Sequence, residues 1–140
     1  MNVLYGQNEA VADWVAVNMD DVSRGFGECA ALGVVSHGRI IAGAVYHNWS
    51  PETEVIEISC AAIDPRWATR SILTELFEYP FRFCRLVTSR FSEENTRVEK
   101  LWQAFGADFI RLPDMRAEGE AEIVALLKLS QWKESRLYNG

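Results

Sequence analysis

The sequence has no apolar run approaching the ~20 residues that a membrane-spanning helix needs. Its first ten residues, Met1 to Ala10, lack the basic and hydrophobic pattern of a secretory leader. Paired cysteines are missing too. Cys29, Cys60 and Cys84 are an odd number and no two are close in sequence. Zinc sites use short-spaced pairs and disulfide frameworks use an even set, so neither is expected. All three lie in apolar or strand-like surroundings and read as reduced core thiols, which fits a cytoplasmic location. No Gly/Ser or Pro linker divides the chain and no segment repeats, so residues 1–140 read as one domain. Positive charge is scarce: 14 Lys and Arg face 20 Asp and Glu, for a net charge of −6 and a pI near 4.9. That balance favours solubility and argues against broad binding to nucleic acid or to anionic membrane. There is no nucleophile elbow, no P-loop and no metal-spaced His/Cys set, so no metal is expected.

What remains is an ordinary globular composition. The chain has 140 residues, 49% of them hydrophobic, and a chain of that length buries roughly 68–70% of its unfolded surface. Asn8 to Met19 reads as a helix, with Val11, Trp14, Val15 and Asn18 on one face and Asn8 as its N-cap. A polar, glycine-bearing stretch, Asp20 to Gly27, follows. The apolar runs Cys29–Ser36 and Arg39–His47 flank His37-Gly38, a two-residue connection with Gly second, which signals a hairpin. Ser50-Pro51-Glu52 makes a further turn. Glu54 to Ile63 then reads as a strand, with Val55, Glu57, Ser59, Ala61 and Ile63 on one face and Ile56, Ile58, Cys60 and Ala62 on the other.

Asp64-Pro65 ends that strand. A helix is predicted over Thr69 to Tyr79, with Ile72, Leu73, Leu76 and Phe77 as its buried stripe and Pro80 as its stop. Arg85 to Phe91 reads as a strand and Ser92 to Asn95 as a polar loop. Thr96 to Phe105 reads as a helix, with Val98, Leu101, Trp102 and Phe105 on one face and Gly106 closing it. Phe109 to Leu112 and Glu122 to Leu129 read as strands, and the acidic Met115 to Ala121 between them as a loop or short helix. A meander followed by βαβ crossovers implies an α/β (α+β) fold, a mixed and mostly antiparallel sheet flanked by helices.

Three segments resemble the GNAT acyltransferases. Ile63 to Leu73, with Pro65 and Trp67, is similar to the family's strand, Pro-x-aromatic turn and helix start. Asn95 with Leu101, Trp102 and Gly106 resembles its Asn, Leu-Tyr and Gly-Phe signature. Leu129-Ser130-Gln131-Trp132 after the closing strand is similar to its tail. The resemblance spans roughly residues 28 to 133 and extends to short, divergent phage and prophage members. It implies acetyl-CoA as co-substrate, with the pyrophosphate at the N-terminus of the helix that starts near Thr69, where unpaired N–H groups favour an anion. The family places two glycines there. Here Ser71 and Leu73 hold those places in one register, and Thr69 and Ser71 in another. Arg66 and Arg70 can pair with phosphate, and the hydroxyls of Thr69 and Ser71 can donate to it. The plainer alternative is that Thr69 caps the helix and the arginines are solvated.

The resemblance further implies that backbone groups of Ala61, Ala62 and Ile63 meet the pantetheine arm, and that Asn95 contacts it unless it is a loop or cap residue. Acyl transfer to an amine needs a base and an acid. The family's base region falls on Glu57, with Ser59 beside it to position a water or the substrate; the alternative is a surface charge. The family's acid, a Tyr, is Trp102 here, and indole has no acidic proton to give. A water, Ser59 or Tyr46 would have to replace it. Tyr46-His47-Asn48-Trp49 is placed to line an acceptor pocket or to form a surface patch. The expectation is an N-acyltransferase acting on a small-molecule or protein amine. The rivals are a phage-type nucleic-acid modification enzyme on the same fold and a binding module without turnover. Trp49 and Trp132, read as exposed, leave room for a homodimer.

Overall fold

The computed structural model describes residues 1–19 and 25–135, so residues 20–24 of the predicted polar stretch lie outside it. The elements run β1 (Asn2–Leu4), α1 (Asn8–Val17), β2 (Cys29–Ser36), β3 (Arg39–Ser50), β4 (Val55–Ala62), a 3-10 turn (Pro65–Trp67), α2 (Arg70–Phe81), β5 (Leu86–Ser92), α3 (Thr96–Phe105), β6 (Asp108–Ala117), β7 (Glu120–Lys128) and α4 (Leu129–Glu134). The strands form one seven-stranded sheet in the order β1-β2-β3-β4-β5-β7-β6. Among the described residues only β4 and β5 pair in parallel, joined through α2; the other strand pairs are antiparallel.

Helices cover both faces. On one, α1 lays Val11, Ala12 and Val15 against Ala31, Val45 and Ala61. On the other, Ile72, Leu73, Leu76 and Phe77 of α2, Trp102 and Phe105 of α3 and Trp132 of α4 close over Ile56, Ile58, Val87, Ile123 and Leu127. Phe77 makes ring contacts with Trp102, Phe105 and Trp132 at the centre of that layer. The faces predicted for Glu54–Ile63 therefore both find partners, one under α1 and one under α2 and α3.

Several predicted boundaries move, each for a local reason. Asn8 is the first residue of α1, not its cap; its Oδ1 accepts from the Ala31 N–H at 3.0 Å and ties the helix to β2. Asn18 is exposed rather than buried, because its Nδ2 turns back to the Trp14 carbonyl at the helix end. The His37-Gly38 turn forms as expected, with φ of 51° and 77°. Pro80 does not stop α2, which continues to Phe81. A proline near a helix end removes only its own donor, here the one owed to the Leu76 carbonyl. The buried Tyr46 hydroxyl donates to that carbonyl instead, at 2.5 Å. The Met115–Ala121 segment is strand and hairpin, neither loop nor helix: β6 runs on to Ala117 and turns at Gly119, whose N–H is held by Asp114 Oδ1 at 2.7 Å. β1 is an additional short strand on the edge of β2. Trp132 is 1% exposed, because α4 folds back under the sheet, whereas Trp49 is 42% exposed.

Candidate active site

The parallel pair β4–β5 is short. Val55, Ile56 and Glu57 pair with Leu86, Val87 and Thr88, and pairing stops there, although β4 continues to Ala62 and β5 to Ser92. The two strands part toward their C-terminal ends. Strand alternation fixes which β4 groups face the opening. The Ile63 N–H donates to the Ile41 carbonyl on β3, and Ile63, Ala61, Ser59 and Glu57 alternate onto that side. The N–H and C=O of Ile58, Cys60 and Ala62 therefore turn toward the opening. Of the three residues expected to offer backbone there, Ala62 does so, while Ala61 and Ile63 are turned to β3. The Cys60 thiol is pushed up to about 12 by burial, so it is not a thiolate near neutral pH.

At the end of β4 the chain turns into α2. Asp64 accepts from the Arg66 N–H and from its guanidinium, which hold the Asp64 carboxyl down at about 2. Arg66 is thus folded onto Asp64 at the surface rather than onto the helix end. Thr69 is the N-cap of α2: its Oγ1 accepts from the Ile72 N–H at 3.3 Å. Arg70 and Ser71 form the exposed start of the helix. Asn95 caps α3 in the same way, accepting from the Val98 N–H at 3.3 Å. Because β4 and β5 are parallel, both helix starts lie at the same end of the sheet as the opening.

A second group of residues lies on the face of the sheet that carries α1. His47 on β3 stands opposite Glu57 on β4. Its Nε2 is 2.8 Å from Ser59 Oγ and 3.7 Å from Glu57 Oε2. Glu57 is also held by Asn48 Nδ2 at 3.1 Å and approached by Arg90 Nε at 3.9 Å. Arg90 in turn meets Glu122, which also binds Arg116, both at 3.2 Å. His47 and Ser59 are buried, and the Phe26 ring covers the imidazole at a centroid distance of 4.9 Å. Burial lowers the His47 pKa below its ordinary 6.5, with Glu57 opposing the shift. The ring is therefore neutral near pH 7. Since serine and glutamate both address Nε2, this is not the triad geometry, in which they hold opposite ring nitrogens. Beside α1, a depression of about 420 Å³ is lined by Glu9, Asp13, Phe26, Glu28 and Cys29 among others.

No family model matches the sequence and no curated protein matches it significantly. Solved structures do match. The spermidine/spermine N-acetyltransferase SpeG of Vibrio cholerae superposes with a TM-score of 0.65 at 10% identity, over 74% of this chain and 69% of that one. The ribosomal-protein-alanine N-acetyltransferase of Brucella melitensis gives 0.70 at 15% identity, over 92% and 100%. A candidate acetyltransferase of the GNAT family from Desulfovibrio desulfuricans gives 0.60 at 16% identity, over 71% and 69%. This chain has the GNAT fold. It spans about two thirds of the length of several of the structures it matches.

Within the GNAT fold, Glu57 and Ser59 share one face of β4, and both approach His47 Nε2. Thr69, Arg70 and Ser71 gather at the α2 start, with Asn95 at the α3 start, while Arg66 is drawn off by Asp64. Trp102 is 3% exposed and edge-on to Phe77 and Phe105, so it is part of the core. Tyr46 gives its proton to Leu76, and burial holds its phenol well above 10. The linkage of Arg90, Glu122 and Arg116 was not anticipated. Its signal was present as charged residues within otherwise apolar strands, but the pairing of β5 with β7 rather than β6 was needed to connect them.

Proposed function

We propose that this chain is an N-acyltransferase, folded as one domain, that moves an acyl group from a coenzyme A thioester, acetyl-CoA in the first instance, to an amine. The carrying observation is the parting of β4 from β5 beyond Glu57 and Thr88, at the C-terminal ends of parallel strands and beside the start of α2. Crevices at such strand ends are the usual ligand sites of crossover-connected parallel strands. The residues present fit the donor. Cys60 and Ala62 offer N–H and C=O pairs to the amides of a pantetheine arm, and Arg70, Ser71 and the first-turn N–H groups of α2 suit a pyrophosphate. When bound, the donor supplies an acyl carbon activated as a thioester.

The amine must lose a proton, and Glu57 and Ser59 lie on the α1-bearing face of β4, at and just past its last pair with β5. Glu9, Asp13 and Glu28 around the depression suit an amine that arrives as a cation. A second reading, a binding module without turnover, is favoured by one observation: neither Trp102 nor Tyr46 has a proton to lend to a leaving thiolate. Calorimetric titration with acetyl-CoA tests the donor site. Binding in the micromolar to low millimolar range, weakened several-fold by Arg70→Ala, is expected; no heat at millimolar acetyl-CoA would sink both readings. Binding without acetyl transfer to a panel of amines would select the second.

A further inference from the structure

We infer that Ser59 and His47 form a two-step proton relay for the reacting amine, Ser59 Oγ touching the nitrogen and His47 Nε2 receiving the proton through it. The inference rests on the acyltransferase reading and names how that site handles its proton. Ser59 lies two positions past the last β4–β5 pair, where β4 has parted from β5, and its side chain stands on the α1 face of the sheet against His47. A serine hydroxyl alone is too weak a base to take a proton from an amine. The atom that makes it one is 2.8 Å away and carries a lone pair only in the Nδ1–H tautomer of a neutral ring.

The surroundings favour a neutral ring. From β4, His47 faces Glu57 and Ser59; from β2, Cys29 stands opposite it in register; Phe26 covers it; and Arg90 on β5 reaches it through Glu57. Asp13 of α1 lies near Cys29, whose thiol is raised by burial and by that carboxylate. Burial keeps the resting imidazole neutral. Glu57, 3.7 Å from Nε2, stabilises the imidazolium once the proton arrives. Glu57 thereby changes role: Asn48 and Arg90 already engage its Oε1, which leaves it a poor first acceptor and a good counter-ion.

The proton and bond balance is complete. An amine that arrives as a cation first gives one proton to water; as the N–C bond then forms, the nitrogen gives a second proton to Ser59 Oγ while Ser59 gives its own to His47 Nε2. The C–S bond breaks, the thiolate takes a proton from water, and His47 returns its proton to water. The products are an amide and a thiol, and the protein is unchanged.

The test compares wild type, His47→Gln, Ser59→Ala and the double variant, each checked for fold by circular dichroism. Thiol release from acetyl-CoA is read with spermidine and an alanyl peptide as probe amines. Each single variant should keep the acetyl-CoA affinity within about threefold and lose about a hundredfold in kcat/KM. The double variant should lose no more than either single one, because the relay acts as a unit. The acidic limb of the wild-type pH profile should be absent from His47→Gln. Nitrogen-15 shifts of the resting wild type at pH 7.5 should show Nε2 unprotonated. Retained turnover in folded His47→Gln, multiplying losses in the double variant, or a protonated Nε2 would each overturn the relay while leaving the acyltransferase reading intact. Absence of acetyl-CoA binding, or binding with no thiol release by wild type, would overturn the relay together with the turnover it serves.

Discussion

Pro80 leaves the Leu76 carbonyl without its helical donor, and Tyr46 takes that donor's place from across the core. Tyr46→Phe should therefore strand a buried carbonyl and lower the unfolding free energy by about 1–3 kcal/mol. In a Pro80→Ala background the helix can supply its own N–H, so the same change should cost about 1 kcal/mol less. Urea unfolding of the four proteins measures that coupling, and strictly additive costs would refute the exchange. His47 carries a second prediction, in the pH dependence of stability. Its folded pKa lies below the unfolded 6.5, so the unfolded chain takes up the proton first as pH falls. The stability tied to the neutral ring is present above 6.5 and lost as pH falls through the folded pKa. Unfolding at pH 7.5 and 5.5 should show wild type losing more than His47→Gln over that window. At this scale the sequence was a partial guide. Trp102 and Glu57 could be weighed from their positions, but the meeting of His47 and Glu57 depends on a bulge after His47. There Asn48 adopts φ 53°, which no residue pattern announced.

The elements were the most legible part, because hydrophobic period and turn chemistry are local. The hairpin at His37-Gly38, the stripe of α2 and the closure of α3 at Gly106 all follow from spacing. The failures arose where a distant partner decided the outcome: Tyr46 rescued α2 past Pro80, and pairing with β7 drew Met115 to Ala117 into β6. The seating of α1 is another such case. A Cβ on Gly43 would lie 2.7 Å from Val15 Cγ2 and 3.1 Å from Val11 Cγ1. Both neighbours are β-branched and cannot swing aside cheaply. Gly43→Ala should lift α1 from the sheet and cost about 1–3 kcal/mol. Adding Val15→Ala should recover part of the loss despite its own cost. A Gly43→Ala protein as stable as wild type would contradict the close seating of α1.

Across the whole molecule, one sheet carries two different surfaces. Beneath α2, α3 and α4 it is apolar and packed with rings. Beyond α1 it bears the chain of His47, Ser59, Glu57, Arg90, Glu122 and Arg116. The opening between β4 and β5 joins the two. It was visible in the sequence only through the GNAT resemblance, since a strand's unpaired edge leaves no mark on its own residues. The central claim is that this edge receives the donor, and amide exchange measured by NMR with and without acetyl-CoA addresses it residue by residue. The account predicts that the amides of Cys60 and Ala62 exchange more slowly with acetyl-CoA present, while that of Ala61, already turned to β3, is unchanged. Unaltered exchange at Cys60 and Ala62 under millimolar acetyl-CoA would contradict it.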